Sequence, residues 1–192
     1  MKHFAFIILC LFSMRVFSQE VDFTALENRN DTLCLKTTHQ PFTGVAVERG
    51  ENGHLKSRAE YKNGINEGLQ TIWYGNGNKF SENEFTQGKY NGKVIQWYQN
   101  GNKQFEKTYQ MDYMYGCAVH YYENGNRESE GSYQNCREVG KWIFYYSNGN
   151  RKAEGNFINA VKDSWWLLYK ENGAIEKEVF YRNGQIISEQ NK

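Results

Sequence analysis

"YYENGN", residues 121–126, returns as "YYSNGN" at residues 145–150. The interval is 24 residues, and it recurs along most of the chain. Asn-Gly pairs begin at Asn52, Asn76, Asn100, Asn124, Asn148 and Asn172. The same spacing relates Gly44, Gly68, Gly92, Gly116 and Gly140, with Ser164 next in line. Aromatic residues follow it twice, as Tyr61, Phe85, Tyr109, Tyr133, Phe157 and Tyr181, and as Trp73, Trp97, Tyr121, Tyr145 and Tyr169. Columns that share one period without insertion mark a repeat architecture.

The runs between turn residues span only six to eight positions, too short for helices and bounded by Asn, Gly and Ser. Each repeat therefore reads as two short strands. About 13 such strands, spaced ~4.8 Å apart, predict a twisted antiparallel ribbon roughly 60 Å long. The expected class is all-β, an extended array of hairpins in one elongated sheet. A two-residue turn at Asn124-Gly125 would set Ile143 against the Glu154 column, a poor match. A type I turn centred on Glu123-Asn124, with Gly125 as a left-handed bulge, instead pairs Tyr122 with Asn126, Tyr121 with Arg127 and Val119 with Ser129. That register gathers Trp73, Trp97, Tyr121 and Tyr145 with aliphatic and small residues on one face. The other face takes Glu82, Glu106, Glu130, Glu154 and Glu178. Gly131, Gly155 and Ala59 fall inside strands, where bare backbone leaves room for a neighbouring ring. The second connection of each repeat, as in "TQGKYNG", reads as the longer one.

Composition narrows the function classes. Of 192 residues, 23 are basic and 22 acidic, which gives no electrostatic footprint for nucleic acid. Lys2, an apolar run from Phe4 to Phe12, and Val16 and Ser18 ahead of Gln19 read as a secretory leader over residues 1–18, cleaved before Gln19. The run is too short to span a membrane. Residues 19–41 then form a lead-in, 42–188 the repeat domain and 189–192 a polar tail. Secretion places the chain in the periplasm, the envelope or the medium. Three cysteines remain, Cys34, Cys117 and Cys136, which allow at most one internal bridge.

With the columns laid out, "YKNGINEGLQTIWYGNGNKFSE" and "CREVGKWIFYYSNGNRKAEGNF" resemble MORN-variant repeats. The lead-in "LENRNDTLCLKTTHQPFTGVAVERGENG" resembles the start of the YwqK-like antitoxin family. The resemblance implies an all-β hairpin array with a binding role, and the family label implies neutralising a toxin by contact. The chain departs from the pattern at Met111-Asp112, Cys136, Ala160 and Ser164, where irregular hairpins are expected.

No catalytic, cofactor or metal constellation is legible. Cys117 and His120 lie three apart, which on a strand points them to opposite faces. Glu128 and Glu130 could form a carboxylate pair, but Glu130 recurs as a column, the mark of a solvated face. "NDT" at residues 30–32 fits an N-glycosylation pattern or a polar turn. The remaining column, Tyr74, Tyr98, Tyr122 and Tyr146, falls on the Glu-lined face in this register. It is either cover for the strand ends or a ladder of exposed rings suited to a protein partner. The expectation is a non-enzymatic binder of another macromolecule through these four tyrosines, most simply a protein and in one version a toxin. The alternative is an envelope glycan-binding or glycan-acting protein that uses the same exposed rings.

Overall fold

The computed structural model describes residues 20–51 and 53–192. The expected leader and Asn52 lie outside them. The described chain is almost entirely strand, and its one helical element is a single 3-10 turn at Phe23–Ala25. A short β1 (Glu20–Asp22) precedes a small hairpin of β2 (Leu26–Arg29) and β3 (Thr32–Leu35). There follow β4 (Gly44–Arg49), β5 (Leu55–Lys62), β6 (Ile65–Trp73), β7 (Lys79–Thr86), β8 (Lys89–Trp97), β9 (Lys103–Gln110) and β10 (Tyr113–Tyr121). The array continues through β11 (Arg127–Gln134), β12 (Arg137–Tyr145), β13 (Arg151–Ile158), β14 (Val161–Tyr169), β15 (Ile175–Arg182) and β16 (Gln185–Asn191). From β4 to β16 each strand pairs antiparallel with the next, and β1 adds in parallel against β4. The result is one open sheet of 14 strands, the hairpin array that the 24-residue period predicts. Residues 189–191 continue β16, and the Lys192 amide donates to the Glu176 carbonyl at 3.0 Å.

The Asn-Gly turns follow the three-residue reading. The Gly125 amide donates to the Tyr122 carbonyl at 2.9 Å, the Tyr122 amide donates to the Asn126 carbonyl at 2.8 Å, and Gly125 sits at φ 90°. The four neighbouring turns repeat this at Gly77, Gly101, Gly149 and Gly173. Only Gly takes that conformation without a Cβ clash.

The other connections correct the expectation that they are longer. Each is a two-residue turn with both residues at positive φ, the type I′ geometry whose twist matches paired strands. Asn63-Gly64 closes Lys62 onto Ile65, and Gln87-Gly88 closes Thr86 onto Lys89. The departures from the repeat pattern are not longer either. Met111 (φ 49°), Asp112 (φ 72°), Cys136 (φ 61°) and Ala160 (φ 68°) are forced into the same shape. The extra residues sit instead in mid-strand. Gly140, Lys141 and Trp142 together oppose the single Gly131, and Gly140 takes φ 66°. Ser164 holds the equivalent place at φ 65° without being Gly.

A second correction concerns the faces. Tyr121 does pair with Arg127, but the next pair is His120 with Ser129, so Glu128 is an unpaired bulge residue. Lys56, Phe80, Gln104, Lys152 and Glu176 bulge likewise. One extra residue moves all that follows to the other face. Val119 therefore stands opposite Glu130, and Ile143 opposite Glu154, the match that the sequence argued against. One face, the carboxylate face, carries the Glu column together with the Trp73 column. The other, the aromatic face, carries Phe85, Tyr109, Tyr133, Phe157 and Tyr181 with Trp142 and Trp166.

On the aromatic face the interior glycines have the role expected of them. A Cβ on Gly131 would lie 2.3 Å from the Trp142 ring, and one on Gly155 would lie 2.2 Å from the Trp166 ring. Trp142 and Trp166 are 3% and 1% exposed. Each is met edge-on by neighbouring rings, Tyr133 at 5.2 Å and Phe157 at 5.0 Å respectively. A single layer thus buries its largest side chains by laying them over bare backbone. Among the described residues, the lead-in packs on the first repeat to form a cluster of Leu26, Phe42 and Ala46, flanked by Val21, Leu33, Leu35 and Tyr61.

Two outcomes follow. Gly155→Ala drives a methyl into the most buried ring of the sheet, and calorimetry should show a loss of about 1–3 kcal/mol. Ala160→Gly relieves a left-handed alanine, and urea titration should show a gain of up to about 1 kcal/mol.

Candidate functional site

Both turn edges of the sheet are stitched from repeat to repeat. At the Asn-Gly edge, the side-chain amides of Asn124 and Asn126 each donate to the Ser147 carbonyl at 2.8 Å. Asn76 and Asn78 converge in the same way on the Gln99 carbonyl, Asn100 and Asn102 on Glu123, and Asn148 and Asn150 on Glu171. Asn124 Oδ1 also accepts the Asn126 amide at 3.0 Å, which closes the turn locally. The second Asn of "NGN" is therefore as functional as the first.

The four tyrosines proposed as a contact ladder belong to this edge. Tyr74 Oη donates to the Trp97 carbonyl at 2.8 Å, Tyr98 to Tyr121 at 2.9 Å, Tyr122 to Tyr145 at 2.8 Å and Tyr146 to Tyr169 at 2.8 Å. All four rings are half-buried. Tyr74 packs edge-on to the bulge residue Phe80 at 5.1 Å, and Lys152 lies over Tyr146 at 5.7 Å. Burial, and next the Glu128 carboxylate, push the Tyr98 and Tyr122 phenols above the ordinary tyrosine range. The structure thus gives each of these rings a tie to the following repeat, and one at the equivalent spacing each time.

The carboxylate face is paired rather than free. Lys103 meets Glu106 at 2.7 Å, Arg127 meets Glu130 at 2.6 Å, and Lys79 contacts Glu82. Glu154 is the most enclosed of the column. Lys141 lies 2.8 Å from one oxygen, while Tyr169 at 2.7 Å and Arg151 at 3.4 Å approach the other. Lys141 first, then the Tyr169 hydroxyl, hold its carboxyl below the ordinary glutamate range. Tyr145 donates in the same manner to Glu130 at 2.5 Å. These bonds tie Tyr145 and Tyr169, the last two members of the Trp73 column, to the Glu column.

Against this regular background a few side chains stand out. Tyr113 and Tyr115 are 60% and 47% exposed, beside the strained turn Met111-Asp112. At the place of Tyr115 four other repeats carry an acceptor for the next turn, Thr43 for the Asn63 amide, Glu67 for Gln87, Asn91 for Met111 and Asp163 for Asn183, while Val139, like Tyr115, does not. Tyr115 gives up that bond and presents a ring to solvent. Trp165 is 49% exposed where other repeats carry Leu69, Lys93, Cys117 and Lys141. Both were readable as breaks in a column. Neither signals anything without the register.

The minor sequence candidates resolve simply. Cys117 pairs across to Ser132 and His120 to Ser129, so the two point to opposite faces. No three His, Cys, Asp or Glu side chains among the described residues converge as a metal site. Cys34, Cys117 and Cys136 are unbridged. Asn30 and Asp31 form the two-residue turn of the β2–β3 hairpin. No described helix is long and apolar enough to cross a membrane.

Comparison with known families gives one finding. Residues 42–63, 90–111, 114–135 and 138–159 match the MORN repeat variant. The last three of these segments each frame one Asn-Gly hairpin, β8–β9, β10–β11 and β12–β13, and the first frames β4–β5. The hairpins β6–β7 and β14–β15 share the turn and its bulge. No curated protein sequence matches the chain.

Of the two readings of this column, the ties match cover for the strand ends, which gives the rings a part in folding. Tyr98→Phe removes one hydrogen bond and should cost about 1 kcal/mol in denaturant unfolding. Tyr98→Ala, which also empties a half-buried site, should cost more.

Proposed function

Because the chain is a MORN-variant repeat protein, we propose that it is a non-enzymatic scaffold that docks a protein partner on its open sheet. The observation that carries this reading is Tyr113 with Tyr115. They are two large, amphipathic rings left in solvent at the middle of an array whose Asn-Gly, Tyr74 and Glu columns are internally bonded. Such rings supply contact area at low conformational cost and are favoured as interface anchors. The Tyr74, Tyr98, Tyr122 and Tyr146 hydroxyls are already engaged by backbone carbonyls, so the contact is placed on the fourth repeat rather than along that ladder. The leader-like residues 1–18 support a periplasmic, envelope or extracellular setting. The likeness of the lead-in to the YwqK-like antitoxins supports a toxin as the partner, with neutralisation by contact.

Crosslinking capture from the native compartment tests the reading. Wild-type chain should retain a protein that Tyr113→Ala/Tyr115→Ala loses, with the melting midpoint of the double variant near that of wild type. Equal capture by both chains would place the contact elsewhere.

A further inference from the structure

The carboxylate face carries a groove of about 440 Å³ across β12 to β15. Its lining includes Lys141, Glu154, Asn156, Trp165, Leu167 and Glu178. The volume falls within the range of small-molecule sites. Leu167 sits between Glu154 and Glu178 in the sheet, and Trp165 stands beside it, paired to Phe180. The Phe180 ring steadies the indole at 5.1 Å with a tilt of 54°.

The lining selects a chemistry. A half-exposed indole beside a leucine asks for a ligand with a flat apolar face. The charges around it are already matched: Lys141 holds Glu154 at 2.8 Å, and Lys192 holds Glu178 at 3.1 Å. A free anion or cation would have to displace one of these partners, so the site favours a neutral ligand. Lys141 and Asn156 are exposed and have donors to spare, while the two carboxylates retain lone pairs. An apolar face edged by groups that both donate and accept hydrogen bonds describes a pyranose ring.

We propose that this groove binds a neutral saccharide, with one sugar ring stacked on Trp165 and its hydroxyls bonded to Lys141, Asn156 and the Glu178 carboxylate. The site lies on the fifth and sixth hairpins and is separate from the protein contact placed on Tyr113 and Tyr115, so either can fail without the other. The column supports the assignment: only this repeat places Trp where its equivalents carry Leu69, Lys93, Cys117 or Lys141.

Isothermal titration and saturation-transfer NMR of the full chain would use cellotetraose, chitotetraose and mannotetraose, with tetramethylammonium as a cation probe. At least one saccharide should bind. Trp165→Ala should weaken it by about tenfold or more, and Trp165→Tyr should retain most of the affinity. Because Trp165 is half in solvent, both variants should melt near wild type. Trp165→Leu keeps an apolar contact with Phe180 and gives a second folded chain that lacks the aromatic face. It too should bind weakly. Absence of binding by every saccharide at about 10 mM, affinity unchanged in Trp165→Ala or Trp165→Leu, or binding of tetramethylammonium alone would overturn the proposal.

Discussion

A hydrogen bond from each repeat to the next, at both turn edges, is the constraint on which the rest of the structure depends. At the Asn-Gly edge the donors are side chains of the earlier repeat and the acceptors are carbonyls of the later one. At the opposite edge the polarity is reversed. The second residue of each two-residue turn donates its amide backwards: Gly64 to Phe42, Gly88 to Asn66, Asp112 to Tyr90, Cys136 to Met114, Ala160 to Glu138 and Gly184 to Lys162, all at 2.7–3.0 Å. A single-layer sheet has almost nothing to pack against, and an isolated hairpin is marginal in water. Stitching both edges makes every hairpin depend on its neighbours, which is the condition for a stable repeat array. The fixed 24-residue period follows, since one inserted residue would put a donor out of reach of its carbonyl.

The same constraint explains where the chain tolerates strain. Met111, Asp112, Cys136 and Ala160 hold left-handed conformations that Gly would take more cheaply. They keep the turn because the turn amide must reach the preceding repeat. Asp112 adds a compensation, its carboxylate accepting the Tyr90 amide at 2.8 Å, and Cys136 Sγ accepts the Met114 amide at 3.2 Å in the matching place. At Ala160 the methyl offers no such bond.

The period, the strand content and the bulged Asn-Gly turn were legible because each rests on a local rule about Gly and spacing. The face of each side chain was not. Glu128, Phe80, Gln104 and Lys152 have nothing in common as residue types, so a bulge that recurs at their position leaves no mark in composition. Missing it exchanged the environments of Tyr121 and Tyr122. The Tyr hydroxyl bonds were hidden for a related reason. Tyr98 and Tyr121 lie 23 residues apart, a separation that means contact only once the hairpins are known to be stacked side by side. Trp165 was visible as a break in a column of Leu, Lys and Cys, yet its groove exists only because the register sets Leu167 and Glu178 beside it.

The reversed polarity of the two edges bears on how the array would respond to force. Tension between its ends acts across the strands, so the rungs at a given junction are loaded in parallel with the ladder of one hairpin. Failure of that junction releases one repeat and leaves its neighbours bonded. Each such event frees roughly 80 Å of extended chain. Each junction should therefore yield as one step, with the least resistance where the stitches are fewest: the turn at Ala160, which keeps its amide bond to the Glu138 carbonyl while Val139 supplies no acceptor and the Ala160 methyl no return bond.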